Sequence, residues 1–244
     1  MHHVVLERWS RGRSWVHARD PRAKIAGLLV FLVLVATSQR SFALLSISYL
    51  LVLLATACVA GLPVKGALAR AAVVLPFSLV FALISLLAGE PGRAAALLGK
   101  SYLSGLAVVL VVSTTTLPKL LGGLESLGVP RFLLLVSQFL YRYLFVISAE
   151  AQHMRAAAVS RGAFARGFGG HGSRFRAAAG AVGVLFARSY ARAEDIHRSM
   201  AARGFQGRFP SLAYVRFGWR DSVFLLAAII LPSAIRLALE GWPL

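Results

Sequence analysis

Residues 132–149, FLLLVSQFLYRYLFVISA, decide how this chain is laid out. The run is long enough to cross a bilayer, because about 18 apolar residues at 1.5 Å rise approach the ~30 Å hydrocarbon layer. Gln138 and Arg142 nevertheless fall near its middle. Charge separates the two readings. If the run crossed, the 12 arginines between Glu150 and Arg220 would face the outside, against the tendency of Lys and Arg to collect on the cytoplasmic side. The alternative is a helix that starts at the membrane face, packs its apolar side inward and continues into the cytoplasm through Ser160. Residues 1–24, 61–70 and 118–220 are then cytoplasmic and hold 23 of the 27 Lys and Arg.

Outward from this segment, five apolar runs read as spans: 23–38, 42–62, 71–88, 101–117 and 222–239. The first two form a hairpin with a tight turn at Gln39-Arg40-Ser41, and the first is short for a full crossing. Pro76 is expected to kink the third. In the fourth, Thr114-Thr115-Thr116 is tolerated as helix, since threonine hydroxyls bond carbonyls one turn earlier. Pro232 and Arg236 interrupt the last. The fold class expected is an all-α polytopic membrane protein with about five transmembrane helices plus long cytoplasmic coupling helices. Three parts follow: 1–117 with helices 1–4 and a basic cytoplasmic amino terminus, 118–220 as the coupling-helix region, and 221–244 with the last span.

Composition agrees with this layout. The chain has 244 residues, 58% of them hydrophobic, and a mean hydropathy of +0.71, beyond what one soluble core of this length absorbs. The net charge of +18 is explained by topology, and the basic residues are not interleaved in a soluble nucleic-acid-binding pattern. The single cysteine, Cys58, lies in an apolar run, so no intrachain disulfide forms. The first apolar run follows polar residues and lacks a small-x-small cleavage site, so no cleavable signal peptide is expected.

Within the basic block, 119–127 reads as a short helix closed by Gly128 and Pro130. Residues 131–161 read as a long one, which the glycines from Gly162 to Gly172 break. Ser173 is the expected cap of the next helix, which runs to about Arg203 and stops at Gly204. Glu194 and Arg198 stand at i,i+4 in the favourable order. Gly99-Lys100-Ser101 imitates the end of a phosphate-binding loop, but Ala94 stands where that loop needs glycine, and no strand precedes it. His2 and His3 after Met1 offer the donors of a terminal Ni(II) or Cu(II) chelate, against which stands an ordinary loose terminus. His17, His153, His171 and His197 show no ligand spacing. Glu150 reads as the structural partner of Arg142 or Arg155. The scattered carboxylates offer no acid/base pair, so no catalytic residue, metal ligand or cofactor site is assigned to this chain.

Two tripeptides remain: Ser160-Arg161-Gly162 and Ala202-Arg203-Gly204. Each puts an arginine in the last turn of a long helix, followed by glycine. Plain termination explains this, since a cation complements the negative helix end and glycine supplies the cap. A paired docking device explains it equally, because the planar fork of arginine suits carbonyls or carboxylates on a partner.

These residues carry a family likeness. Asp20-Pro21-Arg22-Ala23-Lys24 precedes the first span. Residues 117–130 end in Leu127-Gly128-Val129-Pro130. Arg142-Tyr143 is followed by Glu150-Ala151-Gln152-His153-Met154-Arg155 and the first Arg-Gly ending, and Met200-Ala201-Ala202-Arg203-Gly204-Phe205 gives the second. Over nearly its whole length the chain resembles the transmembrane component of energy-coupling factor transporters, most closely the cobalt/nickel-transport permease family, with Ser160 where that family often has alanine. The resemblance implies a non-catalytic subunit of an importer in the bacterial inner membrane. Its partners would be two ABC-type ATPases (or a homodimer), which carry the ATP, and a substrate-binding membrane subunit. The helices ending at Arg161 and Arg203 would each dock on one ATPase and relay its motion. Cobalt or nickel would be the cargo, with a vitamin transporter as the nearest alternative. A membrane-embedded enzyme and a membrane-anchored nucleic-acid binder are the readings from other classes. The first would need a polar cluster at membrane depth, where only Arg142, Gln138 and Glu150 are on offer, and the second would need salt-dependent binding by the basic block.

Overall fold

The computed structural model describes residues 9–10, 12, 14–38, 42–162, 171–206 and 217–240, and every regular element among them is helical. In chain order the helices are α1 (Pro21–Thr37), α2 (Phe42–Val59), α3 (Val64–Ala71), α4 (Leu75–Leu87), α5 (Pro91–Ser113), α6 (Leu117–Ser126), α7 (Arg131–Ser160), α8 (His171–Ala202) and α9 (Trp219–Glu240). Among the described residues four stretches are long and apolar enough to cross a membrane: Val64–Leu87, Pro91–Ser113, Arg131–Ser160 and Trp219–Leu239. The chain is a multi-pass, all-α membrane protein.

Local chemistry sets the boundaries. Asp20 caps α1 by accepting from the Arg22 N–H at 2.8 Å, and Pro21 at the first helical position loses no bond there. Prolines also open α5 at Pro91 and α6 at Pro118. The third span starts earlier than expected, at Val64, because Lys65 and Arg70 lie in a short amphipathic first segment rather than in a loop. Pro76 acts one turn upstream. It has no N–H for the Ala72 carbonyl, and the backbone tightens into a 3₁₀ turn at Ala72–Val74 between α3 and α4.

The fourth span is displaced as well. It occupies Pro91–Ser113, so Gly99-Lys100-Ser101 is helix interior, and the threonine run is not helical. Thr114 is the C-cap of α5 and Thr116 the N-cap of α6, so the run forms the joint between two helices. Ser173 lies inside α8 and does not cap it, since the helix is already formed at His171. The run 132–149 belongs to one continuous helix of 30 residues, α7.

The chain divides into two compact units, residues 1–128 with 212–244, and residues 129–211. In the first, α5 is central and packs on α1, α2, α3 and α4, while α1 packs on α9, α5 and α6. Phe31 of α1 meets Tyr49 of α2 edge to face with ring centroids 5.3 Å apart, and Val35, Leu45, Tyr49 and Leu106 are fully buried around them. A Cβ on Gly27 would stand 3.1 Å from the Ala228 Cβ, so this glycine lets α9 approach α1 closely. Apolar side chains of α4 such as Phe77, Phe81 and Leu87 are exposed, as suits a helix facing hydrocarbon. In the second unit α7 and α8 pack on each other, and Arg188 of α8 donates to Glu150 of α7.

Candidate functional site

The two arginine endings have the same construction. In each, the arginine is the C-cap and the following glycine takes a left-handed backbone, φ +76° at Gly162 and +74° at Gly204. At the second, Gly204 N–H donates to Ala201 O and Phe205 N–H to Met200 O, both at 3.0 Å, a complete double-bonded helix stop. At the first, Gly162 N–H donates to Val159 O at 3.0 Å and Arg161 N–H to Ala157 O at 3.2 Å, while the Ser160 hydroxyl turns back to Ala157 O.

Main-chain groups therefore terminate both helices. The arginine side chains do not: Arg161 and Arg203 are exposed, and among the described residues neither guanidinium has a hydrogen bond or an ion pair. Glycine supplies the cap at both ends, as plain termination expects, and both guanidinium groups are left exposed beside the negative helix ends.

Each ending also borders a depression. A shallow groove of about 400 Å³ along α7 is lined by Gln152, Arg155, Ala156, Val159 and Ser160. A larger cavity of about 670 Å³ between α7 and α8 reaches Arg203, Gly204 and Phe205, with Arg142 and Arg192 on its walls.

A second polar assembly went unassigned at the sequence level. Asp20, Lys24, Thr114, Thr115 and Asp221 are all buried in the first unit. Lys24 Nζ donates to Thr114 O at 2.9 Å and Thr115 Oγ1 at 3.0 Å, tying α1 to the α5–α6 joint. Asp221 of α9 accepts from the Asp20 N–H at 3.1 Å and the Gly218 N–H at 3.0 Å, and Arg19 stands 3.7 Å from its Oδ1. The far end of α1 is held similarly. Lys100 donates to Ala36 O and Ser38 O at 3.0 and 2.6 Å, and Arg236 to Thr37 Oγ1 and Thr37 O at 2.6 and 2.9 Å. Two cations in apolar helices thus complete the negative end of α1. The signal was present in the sequence, since charges within apolar runs rarely lack a partner.

The remaining candidates sort plainly. Glu150 makes a structural ion pair, but with Arg188 and not with Arg142 or Arg155. Glu194 and Arg198 pair at 2.6 Å. His17 donates from Nε2 to Trp9 O at 2.9 Å and accepts from Ser14 at Nδ1, so its ring is occupied structurally. His153 and His197 are exposed on α7 and α8. Among the described residues no group of three or more His, Cys, Asp or Glu is placed to hold a metal, and His2 and His3 lie outside them.

Apolar spanning helices, buried charged groups that tie the helices together and a pair of arginine-tipped helices define a polytopic membrane protein. The chain belongs to the cobalt transport protein family, CbiQ, which it matches over residues 12–214. It is 25% identical to the energy-coupling factor transporter transmembrane protein EcfT of Listeria innocua, across 96% of this chain and 98% of that one. It is 31% identical to the cobalt transport protein CbiQ of Rhodobacter capsulatus, across 64% of this chain and 62% of the other. An uncharacterized protein of Methanocaldococcus jannaschii is 28% identical over 54% of this chain, a match that spans 44% of the archaeal protein.

Proposed function

We propose that this chain is the membrane coupling subunit of an energy-coupling factor importer. Arg161 and Arg203 dock it to two cytoplasmic ABC-type ATPases, each with its small neighbour and glycine: Ser160 and Gly162 at the first, Ala202 and Gly204 at the second. One observation carries the reading: both helix ends are closed by main-chain bonds while their arginines stay exposed and unpaired.

ATP is held by the ATPases, drawing them together and displacing the two tips. Helices of 30 and 32 residues, about 45 Å at helical rise, pass such a displacement on as levers. A separate membrane subunit binds the cargo and is reoriented by that movement. Cobalt is the cargo favoured by the family, with nickel next. The protein lies in the bacterial inner membrane with its amino terminus inside, where 23 of the 27 Lys and Arg are then also found.

The test is Arg161→Glu combined with Arg203→Glu. Co-purification with the ATPases is expected to be lost while membrane insertion persists. ATPase retained by an inserted double variant refutes the docking role. Uptake of radioactive cobalt against competing nickel by cells carrying the complete transporter fixes the cargo.

A further inference from the structure

Arg142 is the outstanding charge of α7. It lies 11 residues after Arg131, about 16 Å along the axis, within a helix apolar enough to cross a membrane. The Arg142 side chain is exposed, and an unpartnered guanidinium there is open to an anionic ligand. The nearest carboxylate along α7, Glu150, is engaged by Arg188. The cavity beside Arg142 adds two more cations, Arg192 and Arg203, against a single carboxylate, Asp195. Among the described residues none of these three arginines has a hydrogen bond or ion pair; Arg142 only overlies its neighbour Tyr143 at 5.8 Å.

We propose that this cavity is a phosphate site, filled by the phosphodiester headgroup of an anionic phospholipid. The fork of arginine matches paired phosphate oxygens. About 670 Å³ is ample for a headgroup. Phe139 and Met200 supply an apolar wall that a free anion would not need but a glycerol backbone would. The same helix pair carries exposed rings, Phe186 at 72% and Tyr190 at 67%, among the arginines of α8, the composition of a helix lying on a lipid surface. Arg203 and Gly204 border both this site and the docking ending proposed above, so the variants that test the site are placed at Arg142, Arg192 and Asp195.

The experiment places the full chain in phosphatidylcholine nanodiscs and compares association of spin-labelled phosphatidylglycerol and phosphatidylcholine. A second arm titrates inorganic phosphate. The phosphatidylglycerol is expected to be preferred, and Arg142→Gln and Arg192→Gln each to lower that preference about fivefold. Asp195→Asn is expected to raise it, a gain that misfolding cannot imitate. Equal association of both lipids, or a preference untouched by the glutamine variants, overturns the proposal. Binding of inorganic phosphate without lipid preference overturns the lipid as its source. Glutamine variants that keep the lipid preference but lose the co-purifying ATPases give the cavity to an acidic protein partner and overturn it too.

Discussion

Replacing Lys24 with methionine keeps the apolar stem and removes the ammonium that ties α1 to the α5–α6 joint. Lys24 is 3% exposed, and its two bonds, to Thr114 O and Thr115 Oγ1, are buried. Hydrogen bonds to a charged group contribute about 1.5–3 kcal/mol each, and the methionine forfeits both. The variant also leaves the buried carboxylates of Asp20 and Asp221 with Arg19 as the nearby cation. Two such bonds, offset in part by no longer burying an ammonium, give an expected loss of about 3–5 kcal/mol, a large share of an ordinary domain's 5–15 kcal/mol. At about 2–4 °C per kcal/mol for a chain of this size, the melting midpoint in detergent should fall by roughly 6–20 °C. Adding Asp20→Asn discriminates the cause. Asparagine caps a helix about as well as aspartate, so α1 keeps its start while one stranded carboxylate is removed. The double variant should melt above Lys24→Met alone. A midpoint shift under about 2 °C for Lys24→Met, or a strictly additive double variant, refutes the reasoning.

Gly204→Val should fray the last turn of α8, because φ +74° costs a side chain about 1–2 kcal/mol, and exchange at the Phe205 amide should accelerate; Gly204→Asn should behave nearly as the parent. Gly27→Leu should separate α1 from α9, since a Cβ alone would stand 3.1 Å from Ala228, and the midpoint should fall by an amount matching roughly 1–3 kcal/mol. Glu150→Gln should leave the midpoint within about 4 °C, because Arg188, its partner, is 60% exposed and such pairs contribute at most about 1 kcal/mol.

Apolar runs and helix punctuation were legible in the sequence because both are local. The long helix through 132–149, the stop at Gly128 and the two arginine endings follow from neighbours along the chain. The misplaced starts of the third and fourth spans have one cause: Lys65, Arg70, Arg93 and Lys100 read as loop when polarity alone is weighed. In the fold Lys100 is a helical residue whose ammonium reaches the end of α1, 62 and 64 residues away in sequence. A threonine run suits a helix because its hydroxyls can bond back, as Thr114 does to Leu110 O, yet Thr115 Oγ1 is needed by Lys24 and Thr116 starts α6. No window along the chain contains those demands. The same holds for Asp20 and Asp221, whose bond joins positions 201 residues apart. At the arginine endings the pattern leaves capping and docking open, because both put a cation beside a glycine-closed helix end, and only a partner separates them.

A photo-crosslinking residue placed at Ser160 and, separately, at Ala202 tests the account most directly, in native membranes with every subunit present. The account expects each position to capture a nucleotide-binding ATPase, with a yield that changes when ATP is added. Capture of lipid alone at both positions, with the ATPases crosslinking elsewhere on the chain, contradicts it.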